Sequence, residues 1–137
     1  DKIIGDELMV IYGAPLSSDD DTLRAVKTAV DMQLCIKEMN KKRIKNKEAE
    51  ILVGAGINRG NVVSGNIGSR EMMDYTVIGD TVNLGSRLCS VANPGEILVS
   101  DSVFEISKCD FAFKKLNPIN IKGKKNKVNV YLVNNDD

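Results

Sequence analysis

Residues 73–87, MDYTVIGDTVNLGSR, constrain the fold more than any other part of this 137-residue chain. The β-branched and aromatic residues before Gly79 predict a strand, the Gly79-Asp80 pair predicts a helix cap, and the following residues predict the helix. Asn83 and Arg87 are four residues apart, so they share one face of that helix. Together with the lysine and the turn aspartate of residues 1–6, DKIIGD, this amide and guanidinium are the residue types used in metal-assisted phosphate chemistry.

The chain has no histidine, and this removes several kinds of site. Zinc sites of the His-Glu-x-x-His type and Ser-His or Cys-His nucleophile pairs cannot be built without it. A bound metal would be a hard cation held by carboxylates, which predicts Mg²⁺ or Mn²⁺. Cys35, Cys89 and Cys109 are odd in number and widely spaced, which favours free or buried thiols of a reducing compartment.

Charge and hydropathy argue against two kinds of partner. Lys+Arg and Asp+Glu both number 19, so the chain lacks the general positive charge that nucleic acid attracts. It has no Trp, and no basic run is interleaved with its few aromatic residues. No apolar run is as long as a membrane span, and no signal peptide opens the chain. We therefore expect a cytoplasmic domain that a longer protein could still anchor to a membrane.

Hydrophobic periodicity predicts one domain in which strands and helices follow each other. A hairpin with its turn at Gly5-Asp6 is predicted within residues 1–13. The further predicted elements are a helix over 21–40, a charged helix end and loop over 41–50, a second strand pair formed by 51–57 and 61–64, a polar excursion over 65–72, a strand over 75–78, a helix over 80–92, a strand over 97–99, a short helix begun by Ser100 or Asp101, and strands near 111–116 and 128–133.

Taken singly, the polar residues have structural explanations. Asp6 could simply form the hairpin turn, and Gly79-Asp80 is interpreted as a helix cap. Asn83 and Arg87 could be an exposed polar face, and the Lys-Gly-Lys-Lys run at 122–125 could be a basic loop. The order and spacing of these residues, rather than any one of them, indicate a function.

Together, three motifs make the chain resemble the catalytic domain of class III nucleotidyl cyclases, from Lys2 to nearly the C-terminus. The motifs are DKIIGDELMVIYGAP, GNVVSGNIGS and MDYTVIGDTVNLGSRL. The resemblance implies an α+β fold, with a ferredoxin-like core sheet and flanking helices. It also implies that residues 1–137 form a single, partial cyclase catalytic domain.

The resemblance implies a role for six residues that match the family's motifs. They are Asp6, which binds metal; Lys2 and Thr76, which read the purine; Asn83, which orients the ribose; Arg87, which stabilises the reacting phosphate; and Lys122, which binds the terminal phosphates.

The implied activity is that of an adenylate cyclase, which converts ATP to 3′,5′-cyclic AMP and pyrophosphate. The ribose 3′-hydroxyl would attack the α-phosphate, and two Mg²⁺ or Mn²⁺ ions would activate it and neutralise the leaving group. Lys2 can donate to an adenine ring nitrogen, and Thr76 can accept from the exocyclic amine. Guanine presents the reverse pattern, and cyclases that use it carry Glu and Cys at these positions. The pair therefore favours ATP.

Sequence distance favours a site shared by two chains. Lys2 and Asp6 cannot serve both ends of one nucleotide, because four residues span at most roughly 14 Å and here lead into a turn. The resemblance implies a head-to-tail homodimer with two interfacial sites. One site would take Asp6 from one chain and the other five residues from its partner.

Three departures from the family's pattern bear on these expectations. The family's other metal-binding aspartate lies upstream of Asp1, so the 137 residues alone are expected to have little or no cyclase activity. Met72 stands where relatives often have a basic residue, with Arg70 as a substitute. Gly85 replaces a more usual alanine, at a cost of roughly 1 kcal/mol in helix propensity.

Two other functions stay open. A catalytically inactive, regulatory cyclase-like module would bind nucleotide or a partner without turnover in the full-length protein. An unrelated phosphate-binding module would lack ATP-dependent dimerisation.

Overall fold

The computed structural model describes residues 2–4, 6–13, 16–61, 63–67, 74–121 and 124–135, and for residues 2–4, 63–67 and 74–78 it describes the backbone alone. Strands and helices alternate along these residues. The elements are β1 (Lys2–Ile4), β2 (Glu7–Met9), α1 (Asp21–Lys45), β3 (Ala55–Ile57), β4 (Val63–Ile67), β5 (Asp74–Ile78), α2 (Asp80–Val91), β6 (Ile97–Ser100), α3 (Asp101–Ser107), β7 (Phe113–Lys115) and β8 (Val130–Val133).

A mixed four-stranded sheet forms the centre of the described part of the chain. Its strand order is β3-β6-β8-β7, with β3 parallel to β6 and the other neighbours antiparallel. Two hairpins, β1-β2 and β4-β5, accompany it. The predicted α+β class is confirmed, since helices pack against a largely antiparallel sheet.

The predicted pairing of residues 51–57 with residues 61–64 is wrong. Strand β3 pairs in parallel with β6, and β4 pairs with β5, so that Ser64 lies opposite Val77. Parallel strands need a crossover connection, and α2 lies in the connection between β3 and β6. The polar excursion predicted over 65–72 also begins too early, because β4 continues to Ile67.

Side chains on the two faces of β6 and β8 build two hydrophobic clusters. Successive strand residues point to opposite faces, so Ile97 and Val99 pack with α1 and α3 on one face. Leu98 packs with Leu88 of α2 on the other face. Helix α2 is therefore held against the sheet by a buried leucine, and its opposite side faces away from the core.

Helix α1 is longer than predicted. It ends at Lys45 rather than near Asn40, so much of the predicted charged loop is helical. Basic residues in its last turn interact favourably with the negative end of the helix dipole. Lys41 and Glu38 form an ion pair of 2.9 Å. They are three residues apart, a spacing at which opposite charges stabilise an exposed helix.

The start of α1 gives a pH-dependent prediction. Asp21 accepts hydrogen bonds from the backbone N–H of Ser18 (2.9 Å), from serine hydroxyls and from Arg24, and these lower its pKa to about 2. Because the pKa of Asp21 is lower in the folded state, its ionised carboxylate stabilises the fold above the ordinary pKa of 3.8, and this stabilisation is lost as the pH falls through about 2.

We expect Asp21→Asn to melt at a lower temperature than the wild type at pH 7. The difference should shrink between pH 4 and pH 2, and a difference that stays constant in thermal melts would contradict the assignment.

Among the residues that the structure describes, every helix is too short or too polar to span a membrane.

Candidate functional site

The predicted metal-binding carboxylate lies at the tip of a tight hairpin. Ile4 pairs with Glu7 across the β1-β2 ladder, which leaves two residues for the turn, and Asp6 is one of them. A turn this short projects its side chains away from the ladder. Asp6 is exposed, so its carboxylate is available to a ligand.

A hydrogen bond places this hairpin beside α2. Ser86 of α2 donates through Oγ to Oε1 of Glu7 at 3.2 Å, across 79 residues of sequence. Burial raises the pKa of the Cys89 thiol, and the nearby carboxylates of Glu7 and Asp6 raise it further. The hairpin tip therefore faces the side of α2 that carries Ser86 and Cys89.

Of the two predicted catalytic residues of α2, Asn83 lies three residues before Ser86 and shares its face, whereas Arg87 points in another direction. Asn83 and Arg87 are both exposed. Consecutive residues of a helix are rotated by roughly 100°, so Arg87 points well away from Ser86, which faces the hairpin. Within the part of the chain that the structure describes, the Arg87 guanidinium forms no hydrogen bond or ion pair. Asp6 and Arg87 are thus brought to one region of the chain but form no ion pair with each other.

The remaining predicted site residues are described only in part. The backbone of Lys2 lies opposite Met9 in β1-β2, and that of Thr76 lies opposite Gly65 in β4-β5. Their side chains lie outside the described residues. Three further residues also lie outside the described residues: Lys122, Met72 and Arg70, the predicted substitute for a phosphate-binding basic residue.

The donor set suits a hard cation only in part. Carboxylate oxygen is the ligand that Mg²⁺ and Mn²⁺ prefer, and the exposed Asp6 supplies it. Among the described residues, no group of three or more His, Cys, Asp or Glu side chains could hold a metal ion. Asp6 can therefore offer one carboxylate to such a cation.

Two glycines set the position of α2. Gly79 caps its N-terminus at φ 131°, where a residue with a side chain would be strained. Gly56 of β3 lies directly under the helix, because a Cβ built there would stand 2.3 Å from the Cys89 nitrogen and 2.6 Å from the Gly85 oxygen. Asn83 and Arg87 are therefore presented by a helix in close backbone contact with the sheet.

The sequence reasoning missed Gly56 and Asn58, which both contact α2. Asn58 follows β3 directly and hydrogen-bonds to Thr81 in the first turn of the helix. An asparagine immediately after a strand was the available signal, but its partner is 23 residues away.

Known proteins are similar to this chain in sequence. A family model described as "Adenylate and Guanylate cyclase catalytic domain" matches residues 2–135. An adenylate cyclase of Mycobacterium tuberculosis (strain ATCC 25618 / H37Rv) is 36% identical over 123 residues, which are 90% of this chain and 27% of that protein. An adenylate cyclase of Anabaena cylindrica is 33% identical over 142 residues, covering 97% of this chain and 27% of that protein. The chain thus spans about a quarter of the length of these curated relatives.

Solved structures agree with the sequence matches. The adenylyl cyclase CyaB from P. aeruginosa matches with a TM-score of 0.90 and 33% identity, covering 97% of this chain and 69% of that one. The guanylyl cyclase Cya2 matches with a TM-score of 0.84 and 36% identity, covering 93% of this chain and 68% of that one. The fold is therefore that of the cyclase catalytic domains.

Proposed function

The chain belongs to the family of adenylate and guanylate cyclase catalytic domains, and on that premise we propose that it forms 3′,5′-cyclic AMP and pyrophosphate from ATP. One observation carries the proposal: Asn83 and Arg87 are exposed on α2, and Arg87 is turned away from the hairpin that holds Asp6. Both residues are exposed to a nucleotide, and among the described residues no ion pair neutralises the arginine. We treat residues 1–137 as a single, partial catalytic domain.

Two chains build each site in this proposal. Asp6 of one chain would serve the same nucleotide as Asn83 and Arg87 of its partner, because Arg87 points away from the hairpin of its own chain. Lys2, Thr76 and Lys122 would come from the chain that supplies Arg87. A head-to-tail homodimer then contains two equivalent sites.

Asp6 would hold Mg²⁺ or Mn²⁺, together with a carboxylate from outside the described residues. When bound, two such ions lower the pKa of the attacking hydroxyl and neutralise the leaving pyrophosphate. Arg87 places a fixed positive charge where negative charge grows on the α-phosphate, and it keeps that charge at every physiological pH. Asn83 can both donate and accept, which suits it to orient the ribose hydroxyls.

ATP is the proposed substrate rather than GTP. The two relatives named above are adenylate cyclases, whereas the solved neighbours include both adenylyl and guanylyl cyclases. The preference rests on Lys2 and Thr76, whose donor and acceptor groups complement adenine. The three free thiols agree with a cytoplasmic location, where the compartment keeps cysteines reduced.

A double substitution tests the choice of base. In the full-length protein, Lys2→Glu combined with Thr76→Cys should lower kcat/KM for ATP and raise the GTP-to-ATP ratio of kcat/KM by at least about tenfold, because mismatched buried polar groups are rejected strongly. Steady-state assays with both nucleotides measure the ratio. An unchanged preference for ATP would mean that these residues do not contact the purine.

A second candidate is a cyclase-like module that binds nucleotide without turnover. Met72, at a position where relatives often have a basic residue that could contact phosphate, favours it. Assays of the full-length protein with ATP and Mg²⁺ or Mn²⁺ separate the two functions. Cyclic AMP formation supports the enzyme, whereas saturable ATP binding without product supports the regulatory module.

A further inference from the structure

Asn58 connects the end of β3 to the helix that carries the two proposed catalytic residues. Its Nδ2 donates to the backbone oxygen of Thr81 at 3.0 Å. Its Oδ1 accepts from the hydroxyls of Ser100 at 2.6 Å and Ser102 at 3.3 Å. Ser100 is 3% exposed, so the contact on the β6 side is buried. One amide thereby joins α2 to the carboxyl ends of β3 and β6.

The hydrogen-bond partners fix the orientation of this amide. The Thr81 carbonyl can only accept, so the NH₂ group of Asn58 must face it. The serine hydroxyls can donate, so the amide oxygen faces them. An aspartate at position 58 would retain the serine contacts but would bring a carboxylate to the Thr81 oxygen. The Asn58→Asp substitution therefore breaks one specific bond of the network.

The contact lies close to the proposed catalytic face of α2. Thr81 and Gly85 are four residues apart, and both touch Asn58: a Cβ built on Gly85 would stand 3.7 Å from the Cβ of Asn58. Asn83 lies between Thr81 and Gly85 in sequence, and Arg87 follows Gly85 by about half a turn of the helix. Asn58 therefore holds the turn from which Asn83 projects.

The loop after β3 strengthens this attachment. The Thr81 hydroxyl donates to the backbone oxygen of Asn61 at 2.7 Å, and the single proton of the Ser102 hydroxyl is shared between the backbone oxygen of Arg59 at 3.1 Å and Asn58 Oδ1. The first turn of α2 is thus fixed at both its backbone carbonyl and its side chain. Without a side-chain cap of its own at Gly79, the helix depends on these external contacts for its position.

We infer that Asn58 is a positioning residue, which sets the place of α2 along the sheet and so aims Asn83 and Arg87 at the nucleotide. This inference rests on the proposed cyclase function. Asn58 need not touch the substrate, since a displacement of about 1 Å in a catalytic group can lower the rate about 10²-fold. Base recognition by Lys2 and Thr76 does not depend on the Thr81 bond, so the effect should fall on kcat rather than KM.

The test compares Asn58→Asp with Asn40→Asp in the full-length protein. Asn40 is the matched control, because it lies on α1 rather than on α2. It is 8% exposed, and its Nδ2 donates to the backbone oxygen of Ile51 at 2.8 Å. Both variants lose one amide-to-carbonyl bond, and both should melt at lower temperature. At a temperature below both transitions, Asn58→Asp should lower kcat for cyclic AMP formation by at least about tenfold with KM for ATP within about twofold of wild type. Asn40→Asp should keep kcat within about twofold.

The outcomes separate this inference from the proposed function. A wild-type protein without cyclase activity overturns the function. An active wild type whose Asn58→Asp variant keeps its kcat, or whose kcat falls no more than that of Asn40→Asp, overturns the positioning role. If Asn58→Asp does not fold, Asn58→Ser replaces it, because a serine hydroxyl is too short to reach Thr81 yet introduces no charge. That variant must show the same fall in kcat, and a retained kcat overturns the inference.

Discussion

Mixing Asp6→Asn and Arg87→Ala variants of the full-length protein is expected to restore cyclase activity that neither variant has alone. Asp6→Asn removes a metal-binding charge, and Arg87→Ala removes the positive charge that stabilises the transition state. Each homodimer should lose at least about 10²-fold in kcat. In a heterodimer one site carries both lesions and the other carries none, so activity should return to at most half the wild-type rate.

The direction of the side chains supports this expectation. Ser86 forms a hydrogen bond with Glu7 of the same chain. Because Arg87 is rotated by roughly 100° from Ser86 on the helix, it points away from its own hairpin. A site built within one chain would need Asp6 and Arg87 to converge, and no ion pair joins them among the described residues. A second copy can supply the missing partner to each of them.

The matched control mixes Asn83→Ala with Arg87→Ala. Both residues lie on α2, so every site of that heterodimer keeps one lesion and activity should stay low. Native mass spectrometry or differently tagged subunits must verify that the heterodimers form. Verified Asp6→Asn and Arg87→Ala heterodimers as inactive as each parent would refute the shared site.

Substitution of Gly56 by alanine is expected to destabilise the domain strongly. The new Cβ would stand 2.3 Å from the Cys89 nitrogen and 2.8 Å from the Leu88 carbonyl carbon, and backbone atoms cannot move aside independently. Overpacking typically costs about 1–3 kcal/mol, and a clash with backbone atoms lies at the upper end of that range. A loss of that size corresponds to a fall in Tm of about 10 °C.

Gly85→Ala provides the matched control on the opposite side of the same contact. Its Cβ would stand 3.7 Å from the nearest atom outside the helix, an ordinary van der Waals distance, so the helix gains propensity without a clash. We expect a gain of about 1 kcal/mol in the free energy of unfolding. Thermal or urea unfolding of both variants measures the two effects, and effects of the same sign would contradict the close approach of β3 and α2.

Local patterns predicted the elements that local interactions form. The Gly5-Asp6 turn predicted the β1-β2 hairpin, and the run through Gly79 predicted β5 and α2 with nearly their observed bounds. The family was also evident from the motifs, and the comparisons confirm it. The roles of Asp6, Asn83 and Arg87 stay predictions.

Errors arose where a distant partner decides the outcome. Residues 51–57 and 61–64 are adjacent in sequence and rich in apolar residues, so a local pattern favoured their pairing. Strand β3 instead pairs with β6, about 40 residues later. Helix α2 packs over Gly56 of β3 and brings the chain back so that the two strands are parallel. Periodicity shows that a strand exists, but it does not identify the neighbouring strand.

The sequence by itself determined the elements, the cyclase family and the residue types that suit phosphate chemistry. Those follow from turn residues, periodicity and motif order, which are properties of neighbouring positions. Only the tertiary structure decided that Ser86 faces Glu7 and that Asn58 holds Thr81. Such contacts join residues 23 and 79 positions apart, and they form only when the packing of α2 on β3 and β6 brings the hairpin and the strand ends to the helix.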